Sequence, residues 1–285
     1  MLAPARGDFH SARGAPHLLA RAQLGHPGGV SWQEAFFGAA YPRLYHGSAE
    51  LGLVRREARA VAQLLGVSAP ARLLDLGCGF GRHTLALAEA GLHTIGVDRS
   101  DPLLTLARRD ARRRGLERGC DFVRADFCAL GPRELGGQVD GALCLFGTLG
   151  LDTKARDLEA LVAAGTCLAP GARLLIELPN PARLPALDGR RSWSEHEDEG
   201  ERWYVLERYT FDGHARRLSG ERLLVSKDAP VARFPFELHA YGQAELRTLL
   251  SEAGLRTLAT YGDLSRAPLS ADSPGMVFVC ERPGS

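Results

Sequence analysis

The chain has 285 residues, 45% of them hydrophobic and 24% charged, with a formal net charge of +1. Those are ordinary globular proportions, sufficient for one large domain or two smaller lobes, and they exclude a mainly disordered or fibrous chain. So small a net charge sets up no global field toward nucleic acid or an anionic membrane, and any such contact would have to be local.

The best local candidate is the run Arg108, Arg109, Arg112, Arg113 and Arg114 with Arg118, which helical spacing places opposite Leu103, Leu106 and Ala107 as a solvated face. Cys78, Cys120, Cys128, Cys144, Cys167 and Cys280 form no Cys-x-x-Cys pair and have no His at ligand spacing, so reduced, mostly buried thiols are expected and no metal site. No apolar run reaches membrane-span length and the N-terminus lacks a continuous hydrophobic signal core, so the expected location is cytoplasmic, with no membrane partner and no nucleic acid.

Residues 1–30 are rich in Ala, Arg, Gly and Pro without a sustained apolar period, which predicts a mobile tail. Trp32, Phe36, Phe37, Tyr41, Leu44 and Tyr45 then supply large apolar surface on short helical segments, and a helix runs from Leu51 to its stop at Gly66. Strands follow at Arg72–Leu76, His93–Val97, Asp121–Ala125, Val139–Leu145 and Ala172–Leu178, with helices near 82–90, 101–115 and 153–168. That alternation predicts a parallel sheet covered on both faces. After Pro179 the period changes to two: Trp203, Val205, Tyr209 and Phe211 alternate up to Asp212-Gly213, a hairpin signal, and Leu218–Val225 and Phe234–His239 continue the style. A helix from Gln243 to Ala253, a strand through Leu258–Tyr261 and a last strand from Met276 to Cys280 resume the α/β texture.

Chemistry concentrates between Ala71 and Asp98. Leu73-Leu74-Asp75-Leu76 runs into Gly77-Cys78-Gly79-Phe80-Gly81, and Arg82 to Ala90 continues with helical spacing. Glycines let backbone pass close to a ligand, and the carboxyl end of a parallel strand is where ligands sit in such sheets. The Gly-x-Gly-x-Gly spacing differs from the Gly-x-Gly-x-x-Gly of dinucleotide enzymes. Asp98, ending the second strand, stands where nucleotide folds place a ribose-binding acid.

These residues resemble the cofactor motif of class I, seven-stranded S-adenosylmethionine-dependent methyltransferases. Phe122 to Phe127 resembles the family's third-strand segment, Val139 to Phe146 its fourth strand and exit, and Leu168-Ala169-Pro170-Gly171-Ala172 its turn into strand five. The resemblance covers roughly residues 50–180. It implies an α/β fold, a doubly wound, mostly parallel seven-stranded sheet with an antiparallel β insert, and S-adenosyl-L-methionine as cofactor. The implied organisation is a tail over 1–30, N-terminal helices and cofactor-binding core over 31–181, an antiparallel substrate lid over 182–240, and the rest of the core over 241–285. Carried over, Asp75, Gly77, Gly79 and Gly81 line the methionine and ribose end, Asp98 with Arg99 binds ribose, Asp126 and Phe127 hold adenine, and Leu145 and Phe146 close the floor. Gly79 to His83, Tyr241, Tyr261-Gly262-Asp263 and Ser273-Pro274 resemble small-molecule and natural-product members carrying a β-rich insert after strand five.

The implied reaction is in-line methyl transfer to a small-molecule acceptor, and it needs no nucleophilic side chain. A hydroxyl acceptor would need a base, and His83 and His239 are the candidates. Tyr41, Tyr45, Trp193 and Tyr241 are the candidate acceptor contacts, while His196, within Glu195 to Glu199, reads as part of an exposed acidic turn. The alternatives are a protein or RNA methyltransferase and a non-catalytic cofactor-binding protein; a monomer or a homodimer fits either.

Overall fold

Residues 31–46, 50–198 and 200–284 are described in this computed structural model, so the tail expected over 1–30 lies outside the described residues. They divide into two units, Ala49–Arg183 with His239–Ser285, and Leu184–Leu238 with the described part of Leu2–Ser48.

The second unit opens with a capping box, in which Ser31 Oγ accepts from the Glu34 backbone while Glu34 reaches back to the Ser31 N–H. That box starts α1 (Trp32–Ala35), which passes through a π-helical turn, Phe36–Ala40, into α2 (Tyr41–Tyr45). Phe36 and Leu44 are buried, as the aromatic texture predicts.

In the first unit α3 (Leu51–Leu65) buries Val54, Ala58, Val61 and Leu65 on one stripe and stops where Gly66 turns left-handed at φ 72°. Then come β1 (Arg72–Leu76), α4 (Arg82–Glu89), β2 (His93–Asp98), α5 (Asp101–Arg114), β3 (Cys120–Arg124), β4 (Val139–Cys144), α6 (Lys154–Cys167) and β5 (Leu168–Pro179). The Ser100 side chain caps α5 and Thr153 caps α6, each accepting a first-turn N–H. Arg109, Arg112, Arg113 and Arg114 lie on the exposed side of α5, whereas Arg108 turns in to donate to the Phe122 carbonyl at 3.0 Å.

Back in the second unit, β6 (Arg191–Asp198), β7 (Glu201–Asp212), β8 (Arg217–Val225) and β9 (Ala232–His239) pair in order as an antiparallel sheet. The Asp212-Gly213 signal marks the hairpin of β7 and β8, whose loop runs from Gly213 to Arg216: Asp212 Oδ1 accepts the His214 and Ala215 N–H groups, and Arg216 takes the positive φ. The acidic stretch at His196 is strand, not turn, with His196 opposite Trp203 in β6. An edge strand carries charge on its solvent side, and the charge masks the strand pattern.

The chain returns to the first unit through α7 (Gln243–Glu252), β10 (Arg256–Tyr261) and β11 (Gly275–Glu281). The sheet order is β10-β11-β5-β4-β1-β2-β3, with β11 antiparallel to both neighbours and the other pairings parallel. Strand alternation feeds two cores. Leu74, Ala142, Leu174 and Ile176 face α6 and α7, and Leu73, Leu143, Leu175 and Val277 face α3 and α4. Strand order reverses between β1 and β4, which opens a crevice beyond their carboxyl ends, flanked by Gly77 and Phe146.

Candidate functional site

The turn after β1 is held by its own backbone. The Gly77 and Cys78 N–H groups both donate to the Val97 carbonyl, at 2.9 and 3.1 Å. Gly77 and Gly79 both have positive φ, 71° and 57°, and their surroundings differ. A Cβ at Gly77 would stand 2.7 Å from Thr148 Cγ2, so that glycine is needed for packing. Among the described residues a Cβ at Gly79 would meet only Leu103 Cδ1, at 3.9 Å, so they leave the space beside it open. A nucleoside-bearing cofactor would need such an opening to lie close to the backbone.

Asp98 Oδ2 accepts from the Gly79 N–H at 2.9 Å and Oδ1 from the Ser100 N–H at 2.8 Å. The carboxylate is thereby fixed at the rim of the turn with lone pairs left over, as two ribose hydroxyls would need. Burial raises its pKa, and the Ser100 and Gly79 N–H groups oppose that rise. Arg99 is exposed, and its carbonyl accepts from Arg124. Asp75 is 4% exposed and accepts from Thr84 Oγ1 at 2.6 Å, tying β1 to α4, and burial pushes its pKa up.

Asp126 caps a short 3-10 turn by accepting from the Cys128 N–H at 3.0 Å and pairs with Arg156 through its other oxygen. Burial works to raise its pKa, but the Cys128 N–H and Arg156 hold it below the ordinary carboxylate range. Phe127 begins that turn, half-buried against the sheet core. Leu145 is buried beyond β4, and Phe146 follows at φ 60°, an uncommon conformation for a bulky residue. The Phe146 ring stacks on His83, centroids 5.2 Å apart at 21°, and the Arg82 guanidinium sits 3.9 Å from the ring centroid. His83 itself is buried on the first turn of α4 and reaches Glu57 of α3 at 3.0 Å. Burial opposes ionisation of Glu57, yet the hydrogen bond and charge of His83 bring its pKa below the ordinary value.

His83 thus lies beside the glycine turn and Phe146, whereas His239 pairs with Glu245 at 3.1 Å and packs on Tyr241. Tyr241 is 2% exposed and donates to Asp157 Oδ2 at 2.6 Å, a buried strut that also takes the Gly150 N–H at 2.9 Å. In the second unit Tyr41 and Tyr45 lie 4.7 Å apart, and Tyr45 meets His196 at 6.3 Å and Trp193 meets Tyr204 at 6.4 Å, centroid to centroid. Burial raises the Tyr45 pKa to about 12. That unit is organised by Arg222, which bonds Glu207 at 2.5 Å and stacks on Phe36 and Phe236.

Glu57, Glu177 and Asp157 escaped the sequence reading. Glu57 falls three residues after Val54 on the apolar stripe of α3, and Glu177 interrupts Leu174-Leu175-Ile176 and Leu178. A charge on a buried face was the available signal. Among the described residues, no group of three or more His, Cys, Asp or Glu could hold a metal, and no helix is long and apolar enough to cross a membrane.

Residues 73–171 match the family described as methyltransferase domain. Among curated proteins, demethylmenaquinone methyltransferase of Thermus thermophilus is 36% identical over 128 residues, 44% of this chain and 55% of that protein. The chain therefore spans about half the length of that relative. The CcbJ methyltransferase of Streptomyces caelestis superposes with a TM-score of 0.74 at 26% identity, covering 90% of this chain and all of that one. CalS10 of Micromonospora echinaspora, an amino pentose methyltransferase solved with S-adenosylmethionine bound, superposes with a TM-score of 0.62 at 26% identity over 86% of this chain and 95% of its own.

Proposed function

From a chain that carries a class I, S-adenosylmethionine-dependent methyltransferase domain, we propose the activity of the whole protein: transfer of the cofactor's methyl group to a small-molecule acceptor. The observation that carries the reading is the open space at Gly79 with the Asp98 carboxylate fixed beside it. When bound, the cofactor supplies an activated methyl on a sulfonium, so the chain's task is to bind, orient and exclude water.

Asp98 receives the ribose hydroxyls, and the turn gives the cofactor room at Gly79, where no side chain stands. Asp126 and Phe127 receive the adenine at the end of β3. Phe146, in ring contact with His83 and Arg82, forms the wall nearest the transferred group together with Leu145. Tyr41, Tyr45 and Trp193 remain the proposed acceptor contacts, tested by variants that raise the acceptor KM and leave cofactor affinity unchanged. The likeness to CcbJ and CalS10 over most of the chain favours a small acceptor over a macromolecular one.

A screen of small acceptors with methyl-labelled cofactor tests this reading. Label transferred to a small molecule is the expected result. Tight cofactor binding with no transfer to any acceptor, small or macromolecular, would make the protein a non-catalytic binder.

A further inference from the structure

One carboxylate beside the crevice has no place in cofactor binding as described above. Glu177 lies near the end of β5, opposite Val277 of β11. Leu175, two residues earlier, packs toward α3 and α4, so strand alternation sends the Glu177 side chain to that same face. Its Oε2 is buried and has no hydrogen-bond partner among the described residues. Its backbone carbonyl accepts from the Gly147 N–H at 3.2 Å, which anchors the loop that carries Phe146.

Among the described residues, the charged groups facing it come from both helices over this part of the sheet. Glu57 of α3 and His83 of α4 both act on it electrostatically, and the Phe146 N–H faces it. Burial, reinforced by Glu57, raises its pKa, and His83 and the Phe146 N–H oppose the rise. Glu57 and His83 are themselves joined at 3.0 Å, with side chains 12% and 7% exposed. Two acids and an imidazole therefore share one buried place beneath the Phe146 ring. A buried carboxylate oxygen that no protein donor satisfies is rare, and it fits a donor brought by a ligand.

Resting on the methyltransferase reading, we propose that Glu177 receives the methyl acceptor, that the acceptor is an amine arriving as its ammonium ion, and that Glu177 takes its proton. A protonated amine has no lone pair with which to attack. The Glu177 carboxylate accepts an N–H proton, the freed nitrogen lone pair forms the bond to the methyl carbon, and the carbon–sulfur bond breaks with its electron pair left on sulfur. The products are an N-methylammonium and a neutral thioether, and the proton on Glu177 leaves through His83, which Glu57 orients, to water. A carboxylate is too weak a base to do the same for an unactivated hydroxyl, so the site selects amines.

The test compares two cofactor analogues on the full chain by calorimetry: S-adenosylhomocysteine, neutral at sulfur, and sinefungin, which carries an ammonium where the methyl-bearing sulfonium stands. The wild-type chain is expected to prefer sinefungin, and Glu177→Gln to lower that preference at least about tenfold, the 1.4 kcal/mol equivalent. S-adenosylhomocysteine affinity is expected to stay within about twofold by the same arithmetic. Glu177→Asp, which keeps the charge, retains most of the preference. An unchanged preference in Glu177→Gln overturns the proposal, and S-adenosylhomocysteine binding in both proteins upholds the cofactor reading whichever way the ratio falls. With labelled cofactor and pairs of amines and alcohols of one skeleton, transfer to the amine members supports the assignment. Transfer to the alcohols in preference to their amine twins overturns it.

Discussion

Alanine at Gly79 and at Gly77 should separate a ligand cradle from a packing contact. Both positions are left-handed, so each replacement costs about 1–2 kcal/mol of backbone strain. At Gly79 little else is added, because among the described residues the new methyl meets only Leu103 at 3.9 Å. At Gly77 it meets Thr148 at 2.7 and 2.8 Å, and Thr148 is pinned by its bond to the Leu145 carbonyl at 3.2 Å. Overpacking of that kind adds about 1–3 kcal/mol. Urea unfolding should therefore find both variants below wild type, Gly79→Ala by about 1–2 kcal/mol of strain alone and Gly77→Ala by about 1–3 kcal/mol more. Calorimetry with S-adenosylhomocysteine should find the reverse order for harm specific to binding, Gly79→Ala losing at least about tenfold in affinity, 1.4 kcal/mol, because its methyl fills the cradle. Wild-type affinity in a folded Gly79→Ala chain would refute the argument that this opening holds the cofactor.

Asp98→Ala should lower cofactor affinity by about 100-fold, since charge-assisted hydrogen bonds are worth about 1.5–3 kcal/mol each, while the circular dichroism spectrum stays that of the folded chain. Asp157 has its pKa raised by burial to about 6, so the stability tied to its protonated form is complete below its ordinary value near 3.8 and is lost as pH rises through about 6. Tyr241→Phe removes a donor that favours the ionised form, so its cost by urea unfolding should grow from about 1 kcal/mol at low pH to about 2–3 kcal/mol at pH 8; a cost independent of pH would exclude an ionised Asp157. In the second unit Arg222→Met leaves Glu207, at 18% side-chain exposure, without its guanidinium partner and should destabilise the chain by about 3 kcal/mol, much of it recovered in the Arg222→Met/Glu207→Leu double variant.

Where one physical signal decided an element, the sequence revealed it. Leu73 and Leu74 flank a glycine turn and became β1, Gly66 ended α3, and Asp98 closed β2 at the crevice. Apolar period and glycine position are local, and local signals survive into the fold. Elements fixed by distant partners were harder to read. The β6 strand exists because β7 pairs with it, and its own acidic residues argue for a turn.

The site divides along the same line. Gly77, Gly79, Gly81 and Asp98 are consecutive in one strand–turn–helix–strand unit, so their mutual placement followed from spacing alone. His83 was legible as a neighbour of that turn. Its partner Glu57 lies 26 residues earlier on another helix, and Glu177 comes from a strand two places across the sheet. Only folding brings these together, and the trace they leave in sequence is a charge on a face that burial should keep apolar.

The central claim is that the turn after β1, with Asp98 beside it, holds S-adenosylmethionine. A crystal structure of the chain with S-adenosylhomocysteine tests it most directly. The account predicts both ribose hydroxyls within hydrogen-bond distance of the Asp98 carboxylate, the adenine beside Asp126 and Phe127, and the sulfur toward Phe146. A nucleoside bound away from Asp98 and the Gly77–Gly81 turn would contradict it.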